Sequence, residues 1–351
     1  MIYKVLSALG ITIPAGKSNF DIICPSCGKK KLNINLIKGV FRCPRCGEGG
    51  GPIALYAFVK HGIPPTVFKN SDQYEQMKAE LNDGVMRSGY DDSYKRPVIQ
   101  ERIDVDPADI AVRSETYKNF LEALSLNETH KANLIERGLP EDVIIKNEYK
   151  SVPMNNLVKV AASLVKDGNT LLGTPGFYVK SDAWTMQRND TGFFVPVRDI
   201  QGRIQGLQIR FDNPFDGAKY RWFTSSDKEK GSKAKTWSHF VGYPEEEVYL
   251  TEGPLKADII NYFMDVPVIA VPGVNATTNL VPVLDELKSY GVRRICTAFD
   301  MDFLSNVHVA KAYDNLVTLL HEKGLEVKKM GWNEKFKGLD DFLLAQHKEE
   351  V

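Results

Sequence analysis

Neither sign of charge is in excess in this chain, since 45 Lys and Arg stand against 45 Asp and Glu. That balance excludes a global basic field, so any contact with nucleic acid has to be local. No run of about 18 apolar residues occurs, which excludes a membrane-spanning helix. The N-terminus, MIYKVLSALGITIPAGKSN, lacks a full signal-peptide core and a convincing cleavage site, so a cytoplasmic protein is expected. Cysteine is scarce, with five in 351 residues. A nucleotide-binding motor is also missing. GITIPAGKS ends like a phosphate-binding loop, but the spacing from Gly10 to Gly16 is one residue too long and no buried strand precedes it.

Four of the five cysteines fall in two close pairs. Cys24 and Cys27 are matched by Cys43 and Cys46, with Gly after the second cysteine of each pair. Two such knuckles can supply four thiolates to one tetrahedral Zn²⁺, and the alternating segments LNINLI and VFRC between them suit hairpin strands, so a zinc ribbon is expected. Disulfides are the alternative, disfavoured in a reducing compartment. Lys29, Lys30, Lys31, Arg42 and Arg45 give the ribbon a positive face suited to phosphates. Cys296, in the apolar run RRICTAFD, reads as a small buried hydrophobe. After the ribbon, GPIALYAFVKHG predicts a short helix opening at Pro52. From about Asn70 to Pro107 the chain is polar and charged and reads as a tether with at most a short helical piece.

From Ala108 the text turns helical, with a Gly cap at Gly138 and a second helix opening at Pro140. Residues 193–226 then read as an antiparallel meander turning at Ile200-Gln201-Gly202. Arg198 and Arg210 flank that turn, where a sheet could hold both as a phosphate clamp; otherwise they pair with Asp199 and Asp212.

The last third alternates strands and helices. VYLTEG delivers Glu252 to the carboxyl end of a strand, VPVIAVPG ends in Gly273, RRICTAFDMD ends in Asp300 and Asp302, and VKKMGWNEKFKGLDDFLL brings Asp340 and Asp341. Acids gathered at the carboxyl edge of one α/β sheet would repel unless a cation sat among them, and hard oxygen ligands indicate Mg²⁺ or Mn²⁺. Asp300 and Asp302, two residues apart, would face one side of a strict strand.

Glu252-Gly253 followed by Asp258, then Gly273, then Asp300-x-Asp302, resembles the TOPRIM domain of DNA primases, topoisomerases and related enzymes. The cysteine pairs followed by GEGGGPIALYAF resemble the primase zinc-binding domain, and LIERGLPEDVI the opening of the bacterial-type primase core. FVPVRDIQGRIQGLQIR with Lys219-Tyr220 is similar to that core's basic sheet, and KGLDDFL to its closing acidic motif. Two positions depart from the pattern: Cys27 stands where many members have His, and Gly338 where the replicative enzymes have Asp. TPGFYVKSDAWTMQ and KYRW look more like primases of phages, plasmids and integrative elements.

The resemblance implies an α/β and α+β multidomain fold: a zinc ribbon over 1–62, a linker over 63–107, a mixed helical and antiparallel basic subdomain over 108–240, and an α/β TOPRIM subdomain over 241–351. It implies a DNA primase making short RNA on single-stranded DNA from ribonucleoside triphosphates, with structural Zn²⁺ and catalytic Mg²⁺ or Mn²⁺. The ions would be held by Cys24, Cys27, Cys43 and Cys46, and by Glu252, Asp300, Asp302 and Asp340. Arg198, Arg210, Lys219 and Tyr220 would hold template or nucleotide, and a replicative helicase, if engaged, would be a separate chain. The other reading is a zinc-ribbon TOPRIM protein that binds DNA in recombination or repair without polymerising.

Overall fold

A computed structural model of the chain describes residues 1–68, 71–87, 104–187, 191–215, 218–273, 279–300 and 307–350. The chain forms two compact units, residues 1–101 and 102–351. The fold class is the α/β and α+β one expected.

In the first unit, helix α1 (Ile2–Ala8) precedes strands β1 (Asn19–Ile23), β2 (Lys30–Asn35), β3 (Val40–Arg42) and β4 (Gly49–Gly50), which form one antiparallel sheet in sequence order. Alternation along β2 buries Leu32 and Ile34 on one face, as a pleated strand requires. Helix α2 (Pro52–His61) starts with Pro at its first turn and stops at Gly62 in the left-handed region. The stretch expected to be a tether differs. It opens with α3 (Ser71–Arg87), a 17-residue helix packed on α1 and α2. Met77 and Leu81, four apart on one helical face, are buried in this unit's core, and Glu80 accepts from Tyr56 Oη at 3.3 Å and lies 3.1 Å from His61 Nε2. Low overall hydropathy hid a helix that is anchored, among the described residues, by apolar Met77 and Leu81 and by the acid Glu80. The rest of the tether to residue 103 lies outside the described residues.

The second unit begins with the chain docked, not loose. Asp104 accepts from Ser226 Oγ (2.6 Å) and Asp227 N (2.8 Å), and Val105 N donates to Gly231 O at 2.8 Å. Helices α4 (Ile110–Glu122), α5 (Glu128–Glu136) and α6 (Glu141–Lys146) lead to β5 (Lys150–Ser151) and α7 (Leu157–Lys166). A hairpin of β6 (Phe177–Lys180) and β7 (Ala183–Met186) follows, then β8 (Gly192–Arg198), β9 (Ile204–Phe215) and β10 (Ala218–Trp222). These last three, with β5, make an antiparallel sheet ordered β10-β9-β8-β5. Its core centres on Phe120, ringed by Phe177, Phe194 and Phe223 with centroids 5.2–5.9 Å away. Gly176 is required there: its φ is +97°, and a Cβ would collide with the Phe223 ring.

The remaining elements are β11 (His239–Val241), β12 (Glu247–Glu252), α8 (Pro254–Met264), β13 (Val268–Val271), α9 (Leu280–Ser289), β14 (Arg294–Thr297), α10 (Val307–Glu322), β15 (Glu326–Lys329) and α11 (Leu339–Glu350). The sheet order is β11-β13-β12-β14-β15, parallel throughout except for β11 on the edge. After β12 the chain goes to one side for β13 and returns to the other for β14, so the order reverses at β12. The carboxyl end of β12 is therefore a topological switch point, the place where open α/β sheets form crevices. Helix α8 joins the two sheets, since its Leu255 and Ile259 share a core with Phe193 and Val195 of β8.

Candidate functional site

At the ribbon, Cys24 Sγ lies 3.5 Å from Cys46 Sγ and Cys27 Sγ 3.8 Å from Cys43 Sγ, and all four sulfurs fall within 4.8 Å of one another. A tetrahedron with metal–sulfur bonds of about 2.3 Å has edges of about 3.8 Å, so the sulfurs stand where a zinc ion would hold them. Gly28 and Gly47, both at positive φ, close the two knuckles by donating to Cys24 O and Cys43 O at 2.9 Å. Without a cation, burial and the neighbouring sulfurs push the Cys46 thiol up to about 12, against the pull of the Glu48 backbone N–H. A bound cation would reverse that balance.

The second constellation is at the switch point. Glu252 ends β12, and Gly273 follows β13 beside it, 3.8 Å from its own ideal Cβ position to Glu252 Oε1. Asp300 follows β14 on the same edge. Asp340 does not come from a strand end as expected; it sits in the first turn of α11, where acids are favoured by the helix dipole. Asp302 lies outside the described residues.

Lys256, in the first turn of α8, is what Asp300 and Asp340 share. Its Nζ donates to Asp300 Oδ1 and lies 3.6 Å from Asp340 Oδ1, while Lys337 Nζ approaches Asp300 Oδ2 at 3.7 Å. Asp340 is 5% exposed, and its Oδ1 has no hydrogen-bond partner. Burial raises its carboxyl above the usual range, against the pull of Lys256, with Asp341 and Asp300 pushing the same way as burial. Burial alone would lower the Lys256 ammonium, but Asp340, Asp300 and Asp341 outweigh it and hold it above the ordinary lysine value. Gly338 makes the room: a Cβ there would collide with Asp340 Oδ1 and lie 3.0 Å from Lys256 Nζ. Among the described residues the four cysteines are the set whose ligand atoms converge on one ion, and Glu252, Asp300 and Asp340 do not form a second.

Asp258, two residues beyond Lys256, faces inward. It accepts from Tyr149 Oη and lies 3.0 Å from His239 Nε2, all three residues being buried. The Arg198 backbone N–H donates to His239 Nδ1 at 3.0 Å, which places the ring proton on Nε2, aimed at Asp258. This network ties α8 to β8 and β11 and is a support for the site.

The basic residues do not make the expected clamp. Arg210 pairs across the sheet with Phe193, and Arg198 is five residues further along β8, about 17 Å away at strand spacing. Nor do they take Asp199 and Asp212: Arg203 holds Asp199 at 2.7 Å, and His130 Nε2 lies 2.9 Å from Asp212. Arg198 instead pairs with Glu148 and donates to Gly202 O at 3.1 Å. Arg210 donates to Tyr220 Oη at 3.1 Å with its guanidinium 5.6 Å from that ring's centroid, and Lys219 beside Tyr220 is exposed.

The comparisons with known proteins fall on this geometry. The chain matches the crystal structure of the Aquifex aeolicus primase, zinc-binding and RNA polymerase domains, at 19% identity and a TM-score of 0.51, over 99% of this chain and 81% of that one. The fold is a primase fold. The E. coli primase catalytic core matches at 16% identity and TM-score 0.47, over 68% of this chain and 75% of that one. The Mycobacterium tuberculosis primase RNA polymerase domain with double-stranded DNA matches at 18% and 0.47, over 64% and 74%. Residues 236–350 match the family described as Domain of unknown function (DUF3854). No curated protein matches the chain.

Sequence reasoning missed Lys256, Lys337 and His239. A signal for Lys256 was present: a lysine in the first turn of a helix opposes the dipole, and tolerating it there implies carboxylates close by.

Proposed function

We propose that the chain is a DNA primase, a nucleotidyltransferase that copies single-stranded DNA into short RNA. The observation that carries this reading is an acid, Glu252, at the switch point of a sheet within a fold shared with the Aquifex primase over almost the whole chain. The reaction is attack of a ribonucleotide 3′ hydroxyl on the α-phosphate of the next triphosphate, with pyrophosphate leaving. Glu252, at the open edge of the sheet, would take the hydroxyl proton. Exposed Lys219 and the Arg210–Tyr220 pair offer charge and an aromatic face to template or triphosphate. Arg198, bound to Glu148, positions the β8–β9 turn. Glu252, Asp300 and Asp302 are the acids for Mg²⁺ or Mn²⁺, which when bound would lower the hydroxyl pKa and neutralise the triphosphate. The ribbon (1–62) would engage the template strand, residues 108–240 form the basic subdomain, and residues 241–351 the TOPRIM subdomain. The phrases TPGFYVKSDAWTMQ and KYRW favour a primase of a phage, plasmid or integrative element.

The test is incubation of the protein with single-stranded DNA, labelled ribonucleotides and Mg²⁺ or Mn²⁺. Short RNA is expected from the wild type, none from Glu252→Ala, and a reduced yield with weaker single-strand binding from Lys219→Ala. No RNA from the wild type, with duplex bound in preference to single strands, would overturn the primase reading.

A further inference from the structure

Two carboxylates at the edge of a sheet repel each other unless something positive lies between them. Here that something is already part of the chain. The Lys256 ammonium bonds Asp300 and faces the buried Asp340 Oδ1 at 3.6 Å, and Lys337 reaches the other oxygen of Asp300 at 3.7 Å. Among the described residues, the carboxylates of Asp300 and Asp340 therefore meet two ammonium groups, with Asp341 the next charge outward.

Asp340 Oδ1 is buried and makes no hydrogen bond, and the cation that the structure sets against it is the Lys256 ammonium, at 3.6 Å. A side chain in place of Gly338 would run into Asp340 and approach Lys256 Nζ and Asp300 Oδ1 at 3.0 and 3.1 Å. The glycine thus leaves the Lys256 ammonium room beside Asp300 and Asp340.

We propose that Lys256 is the resident cation of the acid cluster, occupying the Asp300–Asp340 position that a divalent ion would otherwise take, so that Asp340 serves the lysine and not a metal. The inference rests on reading the strand-end acids as the reaction centre, and it adds that this centre holds one exchangeable divalent ion fewer than its acids alone would gather. Lys256 is then a positioning residue, fixing Asp300 through its Oδ1 and presenting a fixed positive charge where a second ion would have been mobile.

The experiment counts Mn²⁺ bound to the zinc-loaded full chain, by titration calorimetry and by the loss of free Mn²⁺ resonance signal. Lys256→Met, which keeps the aliphatic length and removes the charge, should bind one more Mn²⁺ per chain than the wild type, and adding Asp340→Asn should abolish that gain. An unchanged count in folded Lys256→Met overturns the proposal. Should that variant not fold, Asp340→Asn alone decides. It should leave wild-type Mn²⁺ affinity within about twofold, whereas a loss of about tenfold or more, the size expected when a ligand is removed, would show that Asp340 holds the metal. Mn²⁺ counting does not need RNA synthesis, so the two readings fail separately. An added ion in Lys256→Met from a protein that makes no RNA keeps the lysine inference and removes the primase; RNA synthesis with an unchanged count does the reverse.

Discussion

Replacing Asp258 with Ala should loosen the second unit without touching any exposed group. Asp258 is 4% exposed, and removing its carboxylate strands two buried donors, Tyr149 Oη and His239 Nε2. Each stranded donor costs about 1–3 kcal/mol, and relief of carboxylate desolvation offsets part of this. Breaking one partner out of a comparable buried charged network costs about 3–5 kcal/mol, and that is the expected loss. Asp258→Asn keeps one acceptor and turns the amide group toward the other donor, so about 1–3 kcal/mol is expected. For a unit of this size the Ala variant should melt roughly 10 °C lower. All four tryptophans, Trp184, Trp222, Trp237 and Trp332, lie within residues 102–351, so their fluorescence in urea reports this unit alone. Tyr149→Phe should cost less, and its effect should be non-additive with Asp258→Ala by about 1 kcal/mol, as groups in one network are. An Ala variant within about 1 kcal/mol of the wild type would refute the network as a support.

Two further outcomes are expected. Metal analysis of protein purified without chelator should find one zinc per chain, and Cys43→Ser should lose it, with proteolysis now cutting within residues 1–101, because Cys24 and Cys43 are part of that unit's buried core; zinc-free, protease-resistant wild type would remove the ribbon. At high pH, Tyr149 and Tyr117 should destabilise the second unit: burial raises both phenols in the folded state, with Asp258 adding to the rise at Tyr149 and Arg113 opposing it at Tyr117. Stability linked to a raised pKa is complete below the unfolded value near 10 and lost as pH rises above it, about 3 kcal/mol by pH 11 for the pair. Urea midpoints at pH 9 and 11 measure this, and equal midpoints would contradict it.

The parts of this protein legible in the sequence are those whose physics is local. Two Cys-x-x-Cys knuckles bring four sulfurs together with little help from the rest of the chain, because each turn is closed by its own glycine. The apolar runs ending in Glu252, Gly273 and Asp300 could be read as strands of one parallel sheet for the same reason: a buried strand announces itself by composition, and its end by the acid or glycine that follows. The turn at Ile200-Gln201-Gly202 and the cap at Gly138 are likewise short-range chemistry.

Other features depended on partners distant in the chain. Helix α3 looked like a tether because its polar residues are visible in sequence, while the core that receives Met77 and Leu81 is built by residues before Ile63. The clamp of Arg198 and Arg210 failed because register, not proximity to a turn, sets how far apart two strand residues lie. The pairing of Asp340 with Lys256 joins residues 84 positions apart on two helices, and the sequence lists both without relating them. Sequence alone determined that acids would reach the open edge of a sheet. Only the tertiary structure decided which of them face a lysine, because charges act over a few ångströms of space, and the chain must fold before those ångströms exist.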